Sequence, residues 1–484
     1  MELEGKSYHS LTEVPLENVV EQEYKNYQIY TLMDRAIPYL EDGLKPCQRR
    51  ILFTLWKNSS KGLMKVSSAT GLVLTLHPHG PPSIESSITN MAQDFTFSNN
   101  YPLIDKKGYF GERMETAPAA SRYIECKIGE VAELLLFDDI NQVKMIPNYD
   151  EKVMEPVGLL PKLPLMLLNG AEGIGTGFSS VIPSFNHKEI IDSMVSVVKS
   201  GRSKKIKPWV RHYKKELSFD EKGKIITEMT FEEIDGSIFI TELPKGFDAQ
   251  RIYKHLGKFI EKDFIKDFID SSVDNDINIE LIFKKGFRPT LQEVEMVMGV
   301  QSSVTPNYTL ISERGVKIFT SAEEIVEIFT KQRLAVVKRR YELLAIETKE
   351  RLNRNQEIIR FIEEKHYIRA RQCANRKEFT DYLAKKDFKE FDYLADMAIY
   401  RLTQEEVNKR TAMIAEDKDK LKTYLSVAKS EELIKQKLIE ELKEIGDKLA
   451  EIFNKRDRER KKLYQKLQKV DKSAGSAASK KLKK

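Results

Sequence analysis

Long apolar runs are missing from this 484-residue chain. No stretch approaches about eighteen uninterrupted apolar residues, and the opening MELEGKSYHS has no basic segment followed by an apolar run, so membrane spanning and export are not expected. Cysteine is scarce. Cys47, Cys126 and Cys373 lie far apart, which argues against a disulfide framework and shows no zinc-ligand spacing. A charge excess is lacking too, because 80 Lys and Arg face 74 Asp and Glu for a net +6, so any nucleic-acid surface must come from how the charges are distributed. A nucleotide loop is absent. The run GAEGIGTG, Gly170 to Gly177, has no Lys followed by Ser or Thr and no GxGxxG spacing. Asp274, Asn275 and Asp276 begin like a calcium loop but lack its turn glycine and closing glutamate, so a solvated hairpin is expected there.

At 56.0 kDa there is material for roughly three domains, each able to bury a core. Residues 1–22 read as a polar arm, 23–150 as helices mixed with Gly and Pro turns, and 151–322 as strands and short helices of an α+β domain. Two strands are expected at Gly236 to Leu243 and Asn278 to Phe283. Over 323–468 Gly and Pro nearly vanish. Val337, Tyr341, Leu344, Leu352, Ile359 and Ile362 follow steps of three and four, as do Leu438, Leu442, Ile445, Leu449 and Ile452, which predicts two coiled-coil arms. Between them, about 367–402, Phe379, Leu383, Phe388 and Leu394 supply a globular knob. Residues 469–484, with six lysines and one acid among small residues, are expected to be a disordered basic tail.

Chemistry concentrates in APAASRYIE, Ala117 to Glu125, where Arg122 directly precedes Tyr123. A phenol has an unperturbed pKa of about 10 and becomes a nucleophile at neutral pH only beside a cation that favours the phenolate or the charge developing on a phosphate. Upstream, His77 and His79 in HPHG add imidazoles able to donate to phosphate oxygens or move protons near neutrality. The set suggests phosphoryl transfer, although judged on spacing alone a packed core tyrosine is the favoured reading, by roughly nine to one. Lys45, Arg49 and Arg50 stand within six residues at the start of the apolar run Ile51 to Trp56, placed to reach successive phosphates from one helix end. A second basic run, Gly201 to Lys215, carries seven Lys or Arg with Trp209 and Tyr213 between them.

Nine motifs in order then give a resemblance: RAIP at Arg35, DGLKPCQRRIL at Asp42, HPHG at His77, MAQDF at Met91, PLIDKKGYFG at Pro102, SRYIE at Ser121, LLNGAEGIGTGFSSVIP at Leu167, and the weaker ITELPKG at Ile240 and AIYRLT at Ala398. The chain resembles the breakage and reunion subunit of type II topoisomerases, the A subunit of bacterial topoisomerase IV and gyrase. That resemblance implies a multidomain α+β protein with a winged-helix DNA-gate domain over 23–150, a tower over 151–322, and a long antiparallel coiled coil with a helical dimerisation tip. It implies Tyr123 as the residue that joins DNA, with Arg122, Arg35 and His79 stabilising the phosphate. Lys45, Arg49, Arg50 and His77 are implied as DNA contacts and Ile174 as a wedge between base steps.

Further implications concern partners. Mg2+ and ATP would both be bound by a separate ATPase subunit, in an A2B2 assembly on double-stranded DNA whose A subunits form a homodimer through the DNA gate and the coiled-coil tip. A cytoplasmic, nucleoid-associated protein follows. No DNA-wrapping domain succeeds the second arm, which favours a topoisomerase IV-like activity. The alternatives are a gyrase-like supercoiling subunit or a non-catalytic DNA-bridging protein. Two departures from the family stand out. SSATGLVLTL, Ser67 to Leu76, holds none of the basic residues usual before HPHG, and Pro82 and Ser86 occupy the positions where bacterial relatives anchor quinolones through a serine and an acid.

Overall fold

The computed structural model describes the backbone of residues 15–481, and side chains through Lys462 apart from Asn18, Val19 and Ile399. The polar arm expected over 1–22 therefore lies mostly outside the described residues, and its described part is already helical from Leu16. The chain divides into two compact units, one ending at Thr330 and resuming at Leu442, the other Lys331–Glu441.

In the first unit the helix Pro46–Lys57 starts where Pro46 pre-sets the first turn and Gln48 Oε1 accepts the backbone N–H of Lys45 at 3.0 Å. Its inward side, Ile51, Leu52, Phe53 and Leu55, is buried. Helices Val66–Val73 and Pro81–Ala92 follow, closed by Val66, Ala69, Val73, Ile84 and Ile88 with no exposed surface. Beside them runs a three-stranded antiparallel sheet in the order Met64–Lys65, Glu125–Ile128, Ile104–Lys107. Lys65 pairs with Glu125 in register, which puts the strand just after Tyr123 at the centre of this sheet.

The strand-rich region builds a four-stranded antiparallel sheet in the order Asp267–Asp270, Ile279–Ile282, Ser237–Glu242, Thr230–Ile234. The two strands expected from sequence lie within their anticipated windows. Ile238, Ile240, Ile279 and Leu281 alternate onto one face and meet Ile252 and Leu256 of helix Ala249–Glu261 and Val294 of helix Leu291–Met298 in one core. The acidic turn is the expected hairpin, closed by paired backbone hydrogen bonds between Val273 and Asp276 at 3.0 Å, but it is less solvated than expected. Arg460 donates to Asp274 at 2.5 and 3.1 Å, and Asn275 Oδ1 accepts the backbone N–H of Thr96 at 2.7 Å, so distant segments capture its polar groups.

Three long helices, Ala322–Glu363, Gln404–Lys429 and Glu431–Lys481, form the expected arms, with Ser430 in extended conformation interrupting the second. The backbone of the last helix is described as far as Lys481, within the stretch expected as a basic tail. Within the second unit, Phe361, Phe379, Leu383, Phe388 and Leu394 close a small core between the arms. Arg333 is buried and forms a bidentate pair with Glu441, joined there by Arg340. No helix among the described residues is long and apolar enough to cross a membrane.

Candidate nucleic-acid interface

Arg35, Lys45, His77 and His79 line one cavity of about 540 Å³ in the first unit, with Gly80 and Pro82 at its edge. Arg35 comes from the helical turn Leu32–Ala36, Lys45 is the residue before helix Pro46–Lys57, and the histidines lie between helices Val66–Val73 and Pro81–Ala92.

The two histidines differ. His77 is buried, and Arg50 approaches its Nδ1 at 3.1 Å. A guanidinium only donates, so Nδ1 accepts and the ring proton sits on Nε2. Burial, followed by the neighbouring charges of His79, Arg50 and Arg35, lowers the His77 pKa to about 4. His77 is therefore a neutral donor at pH 7, which, of the two roles open from sequence, favours donation to phosphate oxygens over carrying a proton. His79 stands edge-on to it at 4.5 Å between centroids, and its Nε2 shares a hydrogen bond with the Tyr30 hydroxyl at 3.1 Å.

The three basic residues near the helix start do not act alike. Arg49 is buried, donating to Asp42 at 2.5 and 3.2 Å, and Asp42 also accepts the N–H groups of Leu44 and Leu159. Arg50 is held bidentately by Glu155 at 2.6 and 2.9 Å. The expectation that all three reach successive phosphates is corrected: Asp42 draws Arg49 into the core, and Arg50, one helical step of about 100° further on, faces an acid that the sequence places 105 positions away. Lys45 alone of the three lines the cavity. Its Nζ donates to the Glu172 carbonyl at 2.8 Å, and burial lowers its pKa while Glu172 opposes that shift.

Glu172 belongs to a hairpin, Ala171–Ile174 paired with Ser179–Ile182. This hairpin can lie against residues 32–36 only because of its glycines. A Cβ on Gly173 would sit 2.0 Å from the Ala36 carbonyl oxygen, and one on Gly175 would sit 2.4 Å from Leu32 Cδ2. Ile174, between them, is 89% exposed. An isoleucine so uncovered is not a core residue.

Tyr123 is 64% exposed in the turn preceding the central strand, where its N–H donates to the Ala120 carbonyl at 2.8 Å. The Arg122 guanidinium lies 4.5 Å from the centroid of its ring. Lys65 donates to the Tyr123 carbonyl at 3.3 Å and pairs with Glu125, which Lys107 also approaches. Tyr123 and Arg122 do not line the cavity of Arg35 and His79, so the chain presents two separate groups. Tyr30, Lys65, Glu155 and Glu172 were missed by sequence reasoning, since nothing local distinguishes them from ordinary surface residues. Among the described residues no group of three or more His, Cys, Asp or Glu is placed to hold a metal ion. The second basic run is largely neutralised within the fold, through Lys207 with Glu216, Arg211 with Asp457, Lys214 with Asp276 and Lys215 with Glu228.

Comparison with known proteins places this geometry. The family model for the A subunit of DNA gyrase/topoisomerase IV matches residues 35–443, and the chain belongs to that family. It is 31% identical over 369 residues to mitochondrial DNA topoisomerase 2 of Dictyostelium discoideum, covering 73% of this chain and 28% of that protein. It is 28% identical over 462 residues to the A subunit of DNA gyrase from Kosmotoga olearia, covering 87% and 56% respectively. With the A subunit of DNA topoisomerase 4 from Neisseria gonorrhoeae it shares 43% identity over 185 residues, 37% of this chain and 24% of the relative. The chain thus spans between about a quarter and just over half of these relatives. Among solved structures it superimposes on the DNA-binding, cleavage and re-ligation domain of Plasmodium falciparum topoisomerase II with a TM-score of 0.78 at 26% identity, over 90% of this chain and 64% of that one.

Proposed function

We propose that this chain is the DNA-cleaving and religating subunit of an ATP-dependent, topoisomerase IV-like type II topoisomerase. The observation that carries the reading is an exposed tyrosine under an arginine, in a member of the gyrase and topoisomerase IV A-subunit family. Tyr123 Oη attacks a DNA phosphorus and the 3′ oxygen leaves, so one phosphodiester bond is exchanged for a tyrosyl ester on the 5′ end. The phenolic proton ends on the 3′ hydroxyl. Because the ester keeps the bond energy, the 3′ hydroxyl can reverse the step without an external energy source. Arg122, Arg35 and His79 stabilise the charge on the phosphate, while Lys45 and the neutral Nε2–H of His77 donate to the backbone. Arg49 and Arg50 support this surface from behind.

Residues 23–150 serve as the winged-helix DNA gate, and residues 151–322, with the four-stranded sheet, as the tower. Ile174 is the wedge that enters between base steps and bends the duplex. Its exposure at the tip of a hairpin packed against Leu32 and Ala36 supports this role. Magnesium and ATP belong to a partner subunit of the B type. Two copies joined at the DNA gate and at the knob of the coiled coil provide the two tyrosines that a double-strand break requires. Relaxation and decatenation follow from passing a second duplex through that break. Denaturing capture of a covalent DNA adduct, with the partner subunit reconstituted, tests the proposal. Failure to trap any adduct under conditions that support strand passage would overturn it.

A further inference from the structure

ITELPKG, Ile240 to Gly246, has no part in the cleavage chemistry, yet it reaches the wedge hairpin. Lys245 Nζ pairs with the carboxylate of Glu172. Glu172 stands two residues before Ile174 on one strand, and residues two apart in a strand project from the same face. The strand is also gripped through its backbone, since Lys45 donates to the Glu172 carbonyl at 2.8 Å. Its partner strand is tied independently, by Val181 and Asn307 exchanging backbone hydrogen bonds at 2.8 Å. Glu172 is therefore the polar handle of the strand that ends in Ile174.

The turn that carries Lys245 is unusually well fixed. Arg113, 4% exposed, donates to the carbonyls of Phe247 at 2.5 Å, Leu243 at 3.0 Å and Pro244 at 3.1 Å. The Lys245 N–H donates to Thr227 Oγ1 at 3.0 Å, and the Ala249 N–H to the Met114 carbonyl at 2.9 Å. Exposed ion pairs are usually weak because two long side chains must be ordered together. Here the backbone beneath the lysine is already held, which leaves only its side chain to order.

We propose that Lys245 is a positioning residue: its ion pair with Glu172, braced by the turn that Arg113 anchors, sets the angle at which the hairpin presents Ile174 to DNA. The inference rests on the reading of Ile174 as the wedge. The Lys245 side chain pairs with Glu172, and on this reading it acts through Glu172 rather than on the reacting phosphate.

The test is DNA bending by energy transfer on an end-labelled duplex, using the full chain with its partner subunit. The wild type is compared with Ile174→Ala, Lys245→Met, Glu172→Gln and the exchanged pair Lys245→Glu with Glu172→Lys. Lys245→Met and Glu172→Gln should each lower the bent fraction about threefold, the scale of one anchored ion pair, with DNA affinity unchanged. The exchanged pair should recover the bend. If Lys245→Met bends like wild type while Ile174→Ala does not, the positioning role is wrong and the wedge stands. If Ile174→Ala itself bends like wild type, wedge and positioning role fall together. Should Lys245→Met instead lose affinity and about one unit of salt dependence, with no recovery in the exchanged pair, Lys245 is a direct phosphate contact and the inference is overturned.

Discussion

Arg50 donates to Nδ1 of His77 at 3.1 Å, and this contact decides which nitrogen of the histidine carries the proton. Glu155 holds Arg50 from the other side, so Glu155, Arg50 and His77 form a line running toward the cavity. Glu155→Gln should reduce cleavage several-fold by loosening Arg50, while leaving the chain folded. Adduct yield alongside a thermal melt separates the two, and an unchanged yield would show that His77 needs no such support.

Burial lowers the pKa of His77, His187 and His212 to about 4 from the ordinary 6.5. The folded state refuses protons that the unfolded chain accepts, so the stability from keeping these rings neutral is complete above pH 6.5 and is lost as pH falls from 6.5 toward 4. The melting temperature should be flat from pH 8 to 7 and decline by pH 5.5, before most carboxylates titrate. His187→Gln should flatten that decline. A melting temperature independent of pH over this window would contradict the burial of these rings.

Asp42 and Arg49 form a pair whose side chains are 0% and 7% exposed. Removing one partner of such a pair leaves a buried charge, and Asp42→Ala should cost about 3–5 kcal/mol. Two backbone N–H groups, those of Leu44 and Leu159, would lose their acceptor as well. Urea unfolding measures the change. A loss below about 1 kcal/mol, the value typical of surface pairs, would mean that Arg49 reaches solvent after all.

Tyr123→Phe removes the attacking oxygen from a residue that is already exposed, so nothing in the core depends on it. Adduct formation should vanish while DNA affinity stays within a few fold, the hydroxyl being one contact among many. Gel shift and denaturing adduct assays on one preparation check both. Residual cleavage by the variant would move the nucleophile elsewhere.

Pro82 borders the cavity of His79 and lies in the first turn of helix Pro81–Ala92, with Ser86 one turn further along. Proline offers neither a hydroxyl nor an N–H, and serine offers no carboxylate to favour a metal's water shell. Neighbouring Glu85 does not substitute, because one helical step turns it by about 100°. The complex should resist quinolone trapping, and Pro82→Ser with Ser86→Glu should raise it. Strong trapping of the unmodified enzyme in a cleavage titration would refute the argument.

What the sequence by itself determined is local in origin. The apolar steps of three and four placed the arms, and alternation placed strands Ser237–Glu242 and Ile279–Ile282. The order of the motifs marked Tyr123, Arg122, His77 and His79 as a set. Tertiary structure decided everything that depended on pairing across distance. Arg49 and Arg50 are adjacent and alike in sequence, but Asp42 draws one into the core and Glu155 holds the other beside His77. Asp274 looked like part of a solvated turn until Arg460, 186 positions away, closed on it. Charged side chains carry no periodic signal of their own. Whether a given Lys, Arg or Glu faces water, DNA or a buried partner is fixed only when the fold brings the opposite charge within reach.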